Sequence, residues 1–266
     1  MTVGLLVVCE APGDFAVATC IVDRTLRETE TNWLRELFEH ALDEQRSWVS
    51  LDPSRPFLDW HHLDETAKRL GVRTQRGHFG GRPGAPDALA ARKALAIIHT
   101  LRKQGRTISA AVLMRDIDHA PERRDGIVQA CEEATARDPE LRVVLGLPDP
   151  ELEAWLLAGF DPADTTEETR LADCKRDLGL DPRTSAHALR ATHDQDRRSV
   201  KRVLALLTGD DHERRAKCYE VAPLSTLMAR GRSSGLTPFL DEVRSKLLPL
   251  FLRSPQPPPA STACTP

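Results

Sequence analysis

Three acidic residues stand where a parallel sheet would place chemistry. Glu10 follows the apolar run Val3–Cys9 (VGLLVVC), and Asp116 and Asp118 follow a second run at 108–114 (ISAAVLM). Short, continuously apolar runs rich in β-branched residues read as strands buried on both faces. In open parallel sheets, ligands gather beyond the carboxyl ends of the strands. Two residues apart in an extended chain, Asp116 and Asp118 point to the same side. If the two strands are neighbours, Glu10 joins them. Three converging carboxylates repel one another without a cation. Hard oxygen ligands with room for water suit Mg²⁺ or Mn²⁺. A DxD pair or a lone Glu after a strand is common by itself; its repetition at two strand ends carries the metal reading.

The elements that must position these acids alternate. Helical spacing marks 15–28 (Val17, Ile21, Val22, Leu26), 32–45 (Trp33, Leu34, Leu37, Phe38, Ala41), 88–104 and 125–137. A third apolar run at 141–147 (LRVVLGL) leads through Pro148-Asp149-Pro150 into a helix over 151–159, and Trp48-Val49 reads as a short strand. Strands alternating with helices predict an α/β fold, with a mostly parallel, Rossmann-like sheet flanked by helices. Beyond residue 160 the spacing is helical (170–178, 184–191, 196–207, 212–220, 237–252), which predicts a helical C-terminal extension over 161–253. Residues 254–266 hold five prolines and no charged side chain, the composition of a disordered tail.

A glutamate after the first strand, in a turn with Gly13 and Asp14, followed by the DxD of Asp116 and Asp118, resembles the Toprim domain. The resemblance covers about residues 1–160, with 46–87 as an insertion that a minimal Toprim core lacks. Two later segments, Glu153-Ala154-Trp155-Leu156-Leu157-Ala158 and Lys217-Cys218-Tyr219, are similar to a bacterial branch related to OLD nucleases, some of which sit beside ATPases in anti-phage defence. The resemblance implies Mg²⁺- or Mn²⁺-dependent hydrolysis of DNA or RNA phosphodiesters, with two ions held by Glu10, Asp14, Asp116, Asp118 and Glu153. It implies Lys217 as the cation beside the scissile phosphate, with Glu10, Asp116, Asp118 and Lys217 as the catalytic set. On a helix, Glu151 and Glu153 lie about 200° apart, so only one can face the metals. Spacing does not choose between them; the resemblance favours Glu153.

Composition bounds the partners. The 266 residues carry 37 Lys or Arg against 40 Asp or Glu, a net charge of −3, which excludes a uniformly basic DNA-coating protein but leaves room for a local basic groove. Residues 68–106 contain ten Lys or Arg against the single acid Asp87, and 183–202 contain six against two. Phosphate recognition needs such positive charge around an acidic centre. Arg76, Arg82, Arg92, Lys93, Arg197 and Arg198 are therefore candidate nucleic-acid contacts, with the Gly-rich stretch 77–84 (GHFGGRPG) as a flexible loop that could cover a substrate. The six cysteines form no CxxC pair, which argues against structural zinc and a disulfide scaffold. His61-His62, His119 and His193 likewise lack second ligands at metal spacing. Reduced thiols, no signal peptide and no apolar run near the ~18 residues of a membrane span predict a cytoplasmic chain. No GxxxxGK[ST] motif is present, so ATP-driven sensing would come from a separate ATPase partner; self-association is left open. A DxD glycosyltransferase leaves Glu10 and the basic 68–106 segment without a role. A non-catalytic adaptor of an ATPase would keep its function when the carboxylates are replaced.

Overall fold

The computed structural model describes residues 2–52, 54–74, 77–191 and 193–252. Arg76 and the expected tail at 254–266 lie outside these residues. Five parallel strands form one sheet: β1 (Val3–Cys9), β2 (Arg46–Trp48), β3 (Leu58–Asp59), β4 (Ala110–Met114) and β5 (Arg142–Gly146). The order is β2-β1-β4-β5, and β3 pairs with the last two residues of β1 on the β2 side. The stretch 46–87, expected to be an insertion, thus supplies two edge strands. Between them run α1 (Pro12–Arg27), α2 (Asn32–Gln45), α3 (Leu63–Arg69), α4 (Ala88–Lys103) and α5 (Glu122–Arg137). The chain then continues through α6 (Glu153–Gly159), α7 (Thr165–Leu178), α8 (Val200–Thr208), α9 (His212–Glu220), α10 (Leu224–Arg230), α11 (Leu236–Glu242) and α12 (Leu248–Leu252). No described helix is long and apolar enough to cross a membrane.

The two sheet faces carry separate cores. Leu5, Val7, Cys9, Val112, Met114 and Val144 point to one face, where α1, α2, α6 and the helices beyond residue 160 cover them. Leu6, Val8, Ala111, Leu113 and Val143 point to the other, under α3, α4 and α5. This is the two-residue alternation of strands, and it decides where the residues following β1 and β4 go. The register pairs Val8 with Leu113, so two residues further on Glu10 stands beside Arg115. Both continue the α4–α5 face, whereas Asp116 continues the α1–α6 face. Gly126 lets α5 approach the start of α4, because a Cβ there would run into the Pro86 carbonyl oxygen.

Several expected helices differ: that over 196–207 begins at Val200 and that over 170–178 at Thr165. Residues 184–191 form only a 3₁₀ turn, Ala186–Ala188. The Asp181 carboxylate takes the Arg183 N–H and its carbonyl takes that of Ser185, local bonds that compete with a helix. The helix expected over 151–159 begins at Glu153, because Pro148 and Pro150 hold the preceding segment extended. The long last helix is interrupted by a π turn at Val243–Leu247, just before Pro249, which lacks the N–H a regular α-helix would use.

Candidate functional site

Asp116 lies one residue past Arg115 in a strand that continues beyond β4. Arg115, Ile117 and Asp118 donate their N–H groups to the carbonyls of Gly146, Pro148 and Pro150 at 2.9 Å each. The Asp116 carboxylate is half-buried and accepts no hydrogen bond from the described residues. Burial, and then the charges of Asp14, Glu153, Asp118 and Glu151, push its pKa up to about 8. Asp14, in the first turn of α1, accepts with Oδ2 from the N–H groups of Glu10 (3.1 Å) and Ala11 (3.0 Å); its Oδ1 accepts nothing from the described residues. Burial raises the Asp14 pKa against the pull of the Ala11 N–H. Glu153, the first residue of α6, is raised by burial and, further, by Glu151 and Asp14. Three carboxylates from α1, β4 and α6 thus act on one another, as buried like charges do.

Glu151 also acts on Asp116 and Glu153. It precedes α6, so the helical rule that would separate it from Glu153 does not apply. Arg115 acts on Asp116 from beside it in the chain, and a lysine answers the group from another element. Lys201, in the first turn of α8, stands 3.2 Å from Glu151 Oε2. Burial opposes its charge, but Glu151, Glu153 and Asp194 outweigh it and raise the Lys201 pKa. The sequence counted Lys201 only among the basic residues of 183–202; no local signal marks it, since α8 reaches Glu151 only through the tertiary fold. Lys217, expected beside the scissile phosphate, is exposed on α9. Its neighbour Cys218 meets Gly159, the last residue of α6, about 9 Å along the helix axis from Glu153.

Glu10 and Asp118 take other partners. Glu10 pairs with the Arg115 guanidinium and lies 3.6 Å from His61 Nε2. Asp118 adopts a left-handed φ of 49°, which ends the alternation that would align it with Asp116. It is exposed and bonds Arg123 at 2.6 Å. Asp87, at the start of α4, accepts from Arg115 Nε at 3.2 Å and lies 3.7 Å from Arg123 Nε. The sheet edge is therefore divided. Asp14, Asp116, Glu151, Glu153 and Lys201 occupy one side; Glu10, His61, Asp87, Arg115, Asp118 and Arg123 occupy the other.

The candidate nucleic-acid contacts also separate. Arg92 is buried: its guanidinium lies 3.4 Å from the Phe79 ring centre and bonds Glu133 (2.5 Å) and the His78 carbonyl (2.9 Å). It is a structural residue, because a long basic side chain on the inner face of α4 must be paired where it is buried. Lys93 pairs with Asp64. Arg198 donates to the Leu178 carbonyl at 3.2 Å, while Arg82 and Arg197 are exposed. The Gly-rich stretch is anchored: Phe79 and Arg82 exchange backbone bonds of 2.7 and 3.0 Å around Gly80 and Gly81, and Phe79 is buried against Arg92.

The donor set fits a hard divalent cation in type. It is all oxygen, and among the described residues Asp116 accepts no hydrogen bond while Glu153 is bonded by its own N–H. Among the described residues, no three His, Cys, Asp or Glu side chains converge as a group that could hold a metal ion. Comparison with family models, curated proteins and solved structures finds no match.

Proposed function

We propose that the chain is a metal-dependent phosphodiester hydrolase acting on DNA or RNA, a nuclease of the Toprim and OLD type that its sequence resembles. The observation carrying this reading is the half-buried Asp116 at the carboxyl end of β4, acted on by Asp14 and Glu153, with Lys201 paired to the neighbouring Glu151. Such an arrangement is poorly stable alone and is favoured by divalent cations. Asp14, Asp116 and Glu153 would hold Mg²⁺ or Mn²⁺, with Glu151 beside them. Bound there, the cation would activate water and stabilise the charge that develops on the phosphate. The chain's own residues supply the rest. Lys201 offers a positive group toward the added phosphate charge, and the exposed Arg82 and Arg197 offer contacts to the substrate backbone.

The test incubates plasmid, single-stranded DNA and total tRNA with wild type, Asp116→Asn and Glu153→Gln, in Mg²⁺, Mn²⁺ or EDTA. Cutting that needs metal and disappears in both variants supports the reading. Cutting that persists in either variant, or in EDTA, places the chemistry elsewhere.

A further inference from the structure

Glu10, like Asp118, is a strand-end carboxylate whose side chain pairs outside the acidic group. Its backbone N–H bonds Asp14 Oδ2, so its main chain adjoins the cluster, yet its side chain pairs with Arg115 on the opposite sheet face. Arg115 is itself well placed. Its guanidinium lies 5.8 Å from the centre of the Trp60 ring, whose Nε1 donates to the Met114 carbonyl at 2.6 Å. Asp87 holds its Nε, and Arg123 shares that same carboxylate oxygen. The side chain is 17% exposed and Glu10 30% exposed, so this pair is open to solvent at the rim of the sheet.

We propose that Arg115 receives the phosphodiester of the substrate and, until one arrives, holds Glu10 away from the cation-binding carboxylates. The proposal rests on the nuclease reading. A guanidinium presents paired donors that match a carboxylate or a phosphate equally well, so the two anions compete for it. Asp14, Asp116, Glu151 and Glu153 repel a further carboxylate when no cation is bound, which favours the Arg115 pairing. A bound cation reverses that preference, and a phosphodiester on Arg115 removes the competing partner. Glu10 then completes the cation site only when both are present. Substrate and cation are linked through one side-chain rotation, a discrete two-state element that each ligand biases.

The test uses the full chain as wild type, Arg115→Ala, Glu10→Gln and the double variant, each with its melting curve recorded. Mn²⁺ binding without substrate is read from the spin-resonance signal of free Mn²⁺, and hydrolysis is followed with bis(4-nitrophenyl) phosphate. Arg115→Ala is expected to bind Mn²⁺ about tenfold more tightly than wild type, an effect shrinking to about threefold or less beside Glu10→Gln. Its KM for the phosphodiester rises about tenfold or more, with a smaller change in kcat. If Arg115→Ala does not fold, Arg115→Lys serves: a lysine lacks the planar fork that holds Glu10 on one nitrogen and Asp87 on another, so the same changes appear at smaller size. Equal Mn²⁺ affinity with and without Arg115, or an Arg115 effect undiminished by Glu10→Gln, overturns the proposal and leaves the cation site standing. No Mn²⁺ binding by wild type overturns the nuclease reading and this proposal with it.

Discussion

Replacing Asp116 by Asn should stabilise the metal-free protein. Burial and four neighbouring carboxylates lift the Asp116 pKa from 3.8 to about 8. At pH 7, folding must therefore carry a proton onto a group that is ionised in the unfolded chain. The penalty spans roughly three pH units at about 1.4 kcal/mol each, or roughly 4 kcal/mol. Water penetration and side-chain relaxation leave about half of it. The isosteric amide needs no proton and can donate to Asp14 or Glu153. About 2 kcal/mol corresponds to a rise in Tm of roughly 4–8 °C for a chain of this size. The sign follows from linkage: between pH 3.8 and about 8 the folded state holds the extra proton, so wild-type stability falls as pH rises through that window. Calorimetry in EDTA from pH 5 to 9 should show the gap between Asp116→Asn and wild type widening up to about pH 8 and then levelling. Millimolar Mn²⁺ should raise the wild-type Tm and leave the variant unmoved. A folded variant with a lower Tm in EDTA, or a gap independent of pH, refutes the reasoning.

Lys201→Ala should lower metal-dependent cutting by about two orders of magnitude, the loss expected when a group stabilising transition-state charge is removed. Lys217→Ala should stay within about twofold of wild type, as exposed positions do; plasmid-cutting rates compare the two. Arg92→Ala should cost about 2 kcal/mol of stability by removing its bonds to Glu133 and the His78 carbonyl and its packing on Phe79, with Arg137 still paired to Glu133, read by urea unfolding. Arg197→Ala should leave stability unchanged, weaken nucleic-acid binding and reduce its salt slope by about one, as measured by fluorescence anisotropy. Glu242→Ala should remove the 2.8 Å acceptor of the Leu145 N–H on the outermost strand, β5. It should cost about 1–2 kcal/mol by thermal unfolding and, by freeing a sheet edge, promote self-association visible by light scattering.

The centre of the sheet was legible because β1, β4 and β5 lie in continuous apolar runs, and Glu10 and Asp116 fall just past the ends of neighbouring ones. The two-residue strand β3 was not legible: Leu58-Asp59 has no periodicity to read, and it is held by pairing with Val8 and Cys9, far off in sequence. The site was legible only as a set of acids. Asp14 and Glu153 act on Asp116, but the expectation that Asp118 would point to the same side as Asp116 assumed an extended chain from one to the other. Asp118 and His119 instead take φ values of 49° and 62°, and that turn sends Asp118 to Arg123. The identity of the lysine depended wholly on how α8 and α9 dock, which spacing along the chain does not encode.

The division of the sheet edge also explains why the helices beyond residue 160 belong to the site. Trp155 of α6 is buried, stacks on Phe239 at 5.0 Å and donates to the Ser234 carbonyl at 2.7 Å. Gly159 meets the Cys218 backbone, and Arg230 bonds the carbonyls of Ala158 and Phe160. These contacts fix α6 at both ends, and α6 carries Glu153. The hydrophobic core on that face runs without a break from Val7 and Val112 to Leu227 and Leu240. Burying three carboxylates opposes folding, and the apolar surface closed by α6 to α11 offsets it on the same face of the sheet. The opposite face, where Glu10, Arg115, Asp87 and Arg123 neutralise one another, carries no such load and is covered by α3, α4 and α5 alone. The helices beyond residue 160 lie over the face that carries Asp14, Asp116 and Glu153, the rigid frame that the proposed cation site needs.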